Sequence, residues 1–176
     1  MQSVMTHQFS QAPTADIPRS SFNRSSGYKT TMDAGNLIPI FVDEALPGDT
    51  FTMNPTLFAR LATPIYPLMD NLFLDLHWFS VPKRQIWNNF RKFMGEQANP
   101  SDTTDYIVPT ITAPGGGYTN GSLYDYLGLP TLVADYDHSA LPLRAFNHVY
   151  NEWYRDQNLI DSLPVPLNDG PDDSTL

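Results

Sequence analysis

The hydrophobic period of this chain changes sharply at Pro82. Upstream, Leu72, Leu74, Leu76 and Trp78 alternate with Phe73, Asp75, His77 and Phe79, the two-residue repeat of a β-strand with one dry and one mixed face. Downstream, Ile86, Trp87, Phe90, Phe93 and Met94 fall on one helical stripe. This predicts an amphipathic helix over 83–94, with Pro82 in its first turn and Gly95 just past its end. A long buried strand would therefore run straight into a helix whose aromatic stripe needs a surface to cover.

The same reasoning assigns the rest. Residues 36–46 (NLIPIFVDEAL) form an apolar run buried on both faces, with Pro39 marking an edge or a strand start. Pro47-Gly48-Asp49 is a turn that lets Gly48 take a positive φ. Residues 50–61 alternate again, with a bulge expected at Pro55. Beyond a polar loop over 97–105, residues 106–112 predict a short strand. Pro114 to Gly117 is a flexible tip, lacking the Lys-Ser/Thr that a phosphate-binding loop requires. Ser122 caps a brief helix with Asp125 three residues on and Gly128 at its end. Residues 139–156 predict a second helix, with Pro142 in its first turn and Leu143, Phe146, Val149 or Tyr150, and Trp153 on one face. Residues 163–176 are rich in proline, glycine and aspartate and show no closing element.

Composition sharpens this picture in two ways. Sixteen prolines in 176 residues work against long helices and favour a loop-rich, mainly β architecture. Cysteine is absent, which excludes disulfides and thiolate metal sites. No stretch approaches the length of a membrane span and no secretory leader is visible, so no membrane partner is expected. We find no internal repeat. The domain reading is an extended arm over 1–30, polar and without periodicity, followed by one unit over 31–176. At most four strands are visible, few for a closed barrel or sandwich, which points to a piece of a larger fold.

Charge divides the chain. The net charge is −9, yet the arm carries Arg19, Arg24 and Lys29 against only Asp16. From Glu96 onward twelve acids face only Arg144 and Arg155. The arm is thus the candidate nucleic-acid contact, a modest and salt-sensitive one. Lys83, Arg84, Arg91 and Lys92 also interleave with Trp87 and Phe90, the combination that holds single strands, but those aromatics are needed for packing. Trp78, Trp87, Phe90, Phe93 and Trp153 are the expected packing and assembly residues.

Catalytic chemistry finds little support. His7, His77, His138 and His148 have no partner at metal-ligand spacing. Asp75 and His77 share a strand face, but no nucleophile context accompanies them, and His77 reads as a hydrogen-bonded structural residue. Asp169, Asp172 and Asp173 do not follow a calcium-loop spacing and read as a solvated acidic loop. We expect no enzyme, no cofactor and no metal. A competing reading is a β-sandwich carbohydrate-binding module that uses exposed Tyr118, Tyr124 and Tyr126.

Longer strings carry more. PRSSFNRSSGYKTTMDAGNLIPIFVDEALPGDTF, FARLATPIYPLMDN, VPKRQIWNNFRKFMGEQANP, GSLYDYLGLP and ALPLRAFNHVYNEWYRDQNL occur in this order. Together they resemble the major capsid protein of microviruses, small single-stranded DNA phages, and the gokushovirus branch in particular. The resemblance runs from about His7 to Asp173. It implies a viral jelly roll, an antiparallel β-sandwich with helical insertions, self-assembling into a T=1 icosahedral shell around circular single-stranded DNA. The implied partners are copies of itself, the viral DNA, and other virion or scaffolding proteins; the implied location is the virion, assembled in the host cytoplasm. Family members are considerably longer, so the chain corresponds to the N-terminal part, without the later barrel strands or the insertion that forms surface protrusions.

Overall fold

The computed structural model describes residues 15–174; the first half of the arm, His7 included, lies outside them. The described chain is mostly non-helical, and it falls into two unlike parts.

The part from Val81 onward is built on a small antiparallel pair, β1 (Thr110–Thr112) and β2 (Asp137–Ser139), with Ile111 opposite His138. Ile111 sits at the centre and is fully buried. Backbone bonds from Ala113 to the Tyr136 carbonyl and from Ala140 to the Pro109 carbonyl extend the ladder at both ends. The predicted strand over 106–112 is therefore realised only in its last three residues. β2 has no hydrophobic alternation and was not expected.

The short helix follows its sequence closely. α1 (Phe90–Phe93) is described below; α2 spans Leu123–Tyr126, with Ser122 accepting from the Asp125 amide and Asp125 accepting from the Gly121 amide. Gly128, at φ +89°, ends it. The glycine tip is a surface turn, closed by a Gly117-to-Pro114 backbone bond of 2.7 Å. Gly117 has φ +71°, and a Cβ there would sit 2.5 Å from the Val133 nitrogen, so only glycine lets the two loops touch.

The second helix, α3 (Leu141–Val149), has Pro142 in its first turn as expected. It then widens into a π turn over Tyr150–Tyr154. The buried face of α3 is Leu141, Leu143, Arg144 and Asn147, with Phe146 only half-buried. The extra residue per turn then shifts the phase beyond Val149, and Trp153 swings outward to 72% exposure. The predicted face through Phe146 and Trp153 is corrected accordingly.

The predicted helix over 83–94 is broken. A 3₁₀ turn (Lys83–Gln85) and α1 flank a turn over 86–89. A competing backbone bond explains the break: the Asn88 amide donates to the Leu167 carbonyl (3.0 Å) outside the helix. The Trp87 indole is fixed at the same place, its Nε1 donating to Asp169 (2.5 Å). Gly95 still ends the segment, at φ +97°.

The C-terminal run is a strap rather than a solvated acidic loop. Asp172 bridges β1 in parallel fashion and its amide donates to the Thr110 carbonyl. Its carboxylate takes two 2.7 Å bonds from Arg144, with both side chains almost wholly buried. The remaining Arg144 nitrogen donates to the carbonyls of Ile86 and Asn168, each at 3.1 Å. One guanidinium thus ties α3, the turn at Ile86 and the strap together. It joins two apolar clusters, one around Ile111, Tyr118, Tyr124 and Leu143, the other around Ile86, Trp87 and Leu141.

Residues 15–80 contain no helix or strand. The turn at Pro47-Gly48 forms as expected, with Gly48 at φ +85° and the Asp49 amide on the Leu46 carbonyl. The strands predicted over 36–46, 50–61 and 71–79 are extended but unpaired, and their dry faces lie open. Only Leu37 to Ile40 and Leu76 are half-buried among their apolar positions. Extended backbone becomes a strand only with a neighbour to bond, and the described residues supply none here. The whole chain exposes 14866 Å², whereas a folded monomer of 19.8 kDa exposes roughly 8,600 Å². An excess of this size is more than one partner's share of a typical obligate interface.

Candidate assembly surface

The open apolar faces surround one large cleft of about 2240 Å³. Its walls come from residues 19–62 and 72–78, with Tyr154 reaching in from the end of the π turn. Two features hold the walls to the packed part. Tyr28 donates to the Tyr126 carbonyl (3.2 Å) while Tyr126 donates to the Thr31 carbonyl (3.0 Å), a reciprocal clasp on the arm. Lys83 pairs with Glu44 at 2.9 Å. Ring contacts continue the seam: His77 meets Tyr154, and Phe79 meets both Trp153 and Tyr154, at centroid distances of 5.8 to 6.1 Å. His77 is thus a packing residue among rings rather than a hydrogen-bonded one.

The three arm cations all line the cleft. Arg24 is paired with Asp43 at 3.0 Å, so part of its charge is already answered. The Arg19 guanidinium lies beside Gly48. The five expected packing residues separate into distinct roles. Trp87 is fully buried, and Phe90 and Phe93 shield it at 6.1 and 5.3 Å. Trp78 stands half-exposed on the cleft wall, edge-on to Phe41 at 5.9 Å. Trp153 covers a recess of about 140 Å³ beside Phe79, Val81 and His148.

Sequence reasoning missed the residues that organise the packed part: Arg144, Asp169 and Asp172. A signal was present, since only two cations follow Glu96, and Arg144 lies in the middle of an apolar helix. A cation in that place needs a buried acid.

The sugar-binding platform is corrected. Tyr118 and Tyr124 are buried and stacked face to face with centroids 4.0 Å apart. Tyr118 bonds His138 Nε2 at 2.8 Å, and Tyr124 donates to the Ser174 carbonyl. Burial, with Tyr124 and Tyr136 alongside, pushes the Tyr118 phenol up to about 12. Burial likewise raises Tyr124, with Asp173 and Asp172 adding to it. Neither ring can receive a sugar. No group of three or more acids and histidines poised for a metal occurs among the described residues. No described helix is long and apolar enough to cross a membrane.

Comparison with known proteins agrees with the geometry. The family model described as "Capsid protein (F protein)" matches residues 10–175. The chain is 55% identical over 166 residues to "Capsid protein VP1" of Bdellovibrio phage phiMH2K, covering 94% of this chain and 31% of that protein. It is 51% identical over 177 residues to "Capsid protein VP1" of Chlamydia phage 1, covering 96% and 29%. The protein of the same description from Spiroplasma virus 4 is 34% identical over 163 residues, covering 92% and 30%. The chain therefore spans about a third or less of the length of the relatives it matches.

Proposed function

The chain belongs to the phage capsid protein (F protein) family, and from that premise we propose that it acts as a wall segment of a self-assembling viral shell, without catalysis. The observation that carries this reading is the cleft, whose walls hold aromatic and aliphatic side chains out of any core. A monomer that stopped here would leave them in water at roughly 25 cal/mol for each Å² of apolar surface. Assembly is the chemistry that covers them.

In this reading the extended runs over 36–46, 50–61 and 71–79 are strands of a jelly roll. Their ladder partners come from elsewhere in the longer capsid protein. Unpaired backbone and open apolar faces at the same residues support it, because both deficits are met by the same neighbours. The product is a T=1 icosahedral particle around circular single-stranded DNA, in which many modest contacts add up to a stable shell. Other virion or scaffolding proteins would be further partners, and the host cytoplasm the place of assembly.

Arg19, Arg24 and Lys29 are the proposed genome contacts. Their concentration in an arm with Asp16 as its one acid supports this, and the Asp43 pair on Arg24 leaves more of the task to Arg19 and Lys29. Replacing all three with alanine is expected to give shells of wild-type size with reduced DNA content. Unchanged DNA content in purified particles overturns that assignment. The capsid reading itself is tested by negative-stain microscopy of the full-length protein. Uniform small icosahedra support it, and a persistent monomer overturns it.

A further inference from the structure

The exposed apolar residues are of two kinds, and filling the cleft accounts for only one of them. The cleft walls run through Ala62 and resume at Leu72, leaving residues 63–71 outside it. This connecting loop displays Ile65 at 94% exposure, Tyr66 at 81% and Met69 at 95%, with Leu68 more than half exposed. These side chains stand apart from the cleft walls.

We propose that the loop over 63–71 is a contact between copies of the capsid protein, seated on the surface of a neighbouring copy. The proposal rests on the capsid reading above and adds the place of contact. Three observations choose a second copy as the occupant. First, the four side chains offer on the order of 700 Å² of surface, close to the roughly 800 Å² that each partner gives to a stable interface. Second, no charged residue occurs from Leu61 to Met69, in a chain of net charge −9. Copies can approach through Leu61 to Met69 without placing like charges together. The one charge of the loop, Asp70, is an acid and repels a phosphate backbone. Third, Pro64 and Pro67 restrict the backbone of the loop before it docks. Less conformational entropy is then lost on association.

The test uses the full-length capsid protein. One variant carries Ile65→Ser, Tyr66→Ser and Met69→Ser together. It is compared with the wild type by sedimentation and by resistance to limited proteolysis. The expected result is a folded, protease-resistant subunit whose particle yield falls more than about tenfold, the effect of some 1.4 kcal/mol. Wild-type yield overturns the proposal. So does an insoluble, protease-labile variant, which would place the loop in the subunit's own core. A second measurement replaces Tyr66 with a photo-crosslinking phenylalanine in particles assembled from tagged and untagged copies. A product joining a tagged to an untagged copy supports the contact. A crosslink within one chain, to DNA or to a different virion protein, or none at all, overturns it. If the wild type forms no particles, the capsid reading fails first, and the two failures are told apart by that control.

Discussion

Residues 15–80 and residues 81–174 are similar in hydrophobic content and opposite in fate. Thr110–Thr112 is a poor strand by pattern, yet it pairs, because Asp137–Ser139 and the strap at Asp172 lie on its two edges. Residues 71–79 alternate far better and pair with nothing among the described residues. The difference teaches that alternation reports which faces want burial, while pairing depends on a neighbour being present. In the later part the neighbour is local and is locked by Arg144. In the earlier part it has to arrive from outside.

That contrast can be broken most forcefully at Arg144. Replacing Arg144 with methionine leaves Asp172 buried and unanswered, and is expected to destabilise the packed part by about 3–5 kcal/mol. Denaturant titration followed by Trp87 fluorescence measures it. Pairing Arg144→Met with Asp172→Leu should recover part of the loss, since no charge is then stranded; an equal or greater loss would remove the ion pair as the cause. Trp87→Phe keeps a ring but deletes the Nε1 bond to Asp169. It is expected to cost about 1–3 kcal/mol in a denaturant titration followed by circular dichroism, since the variant lacks the Trp87 fluorophore.

Alkali addresses the same core through Tyr118. Its phenol is raised to about 12 in the folded chain, against about 10 when unfolded. The unfolded state therefore releases its proton first as pH rises. Stability is fully present below pH 10 and falls between about pH 10 and 12. Absorbance of tyrosinate near alkaline unfolding, with Tyr118→Phe as the comparison, reads this; an unchanged profile in the variant would exclude Tyr118 as the group.

Smaller effects lie on the seam and in the first part. Tyr126→Phe removes the bond to the Thr31 carbonyl and should cost about 0.5–1.5 kcal/mol at most. Its clearer sign is faster proteolytic cleavage near Tyr28. Phe73→Ser, at a fully open position, is expected to change the stability of this chain by no more than about 0.5 kcal/mol. The same change in the longer capsid protein should reduce particle yield. A large loss in the isolated chain would mean that Phe73 is already buried, and would dissolve the contrast between the two parts.

The legible features were those set by neighbours in sequence. The Ser122 cap, the Gly48, Gly95 and Gly128 turns and Pro142 in the first turn of α3 depend on a few adjacent residues, and each is found as expected. The illegible ones depend on distant partners. The helix over 83–94 breaks because the Leu167 carbonyl takes the Asn88 amide from its centre, some eighty residues away. The strap carries no hydrophobic period, so its role shows only through Arg144. Trp153 was misplaced because a π turn shifts the phase of α3, which side-chain pattern does not record. On the assembly surface, the sequence offers the arm cations as nucleic-acid candidates and Trp78 as a packing candidate, and nothing in its pattern shows that they line one cleft. That Arg24 is already paired, and that the loop over 63–71 stands apart from the cleft, required the structure.

The most direct measurement is amide hydrogen exchange, site by site, on this chain alone and on the full-length protein in assembled form. The account predicts slow exchange at Ala113, Ala140 and Arg144 in both samples. It predicts immediate exchange across residues 50–61 and 71–79 in the chain alone, and strong protection of the same residues after assembly. Protection of those residues in the isolated chain, or none in the assembled protein, would contradict it.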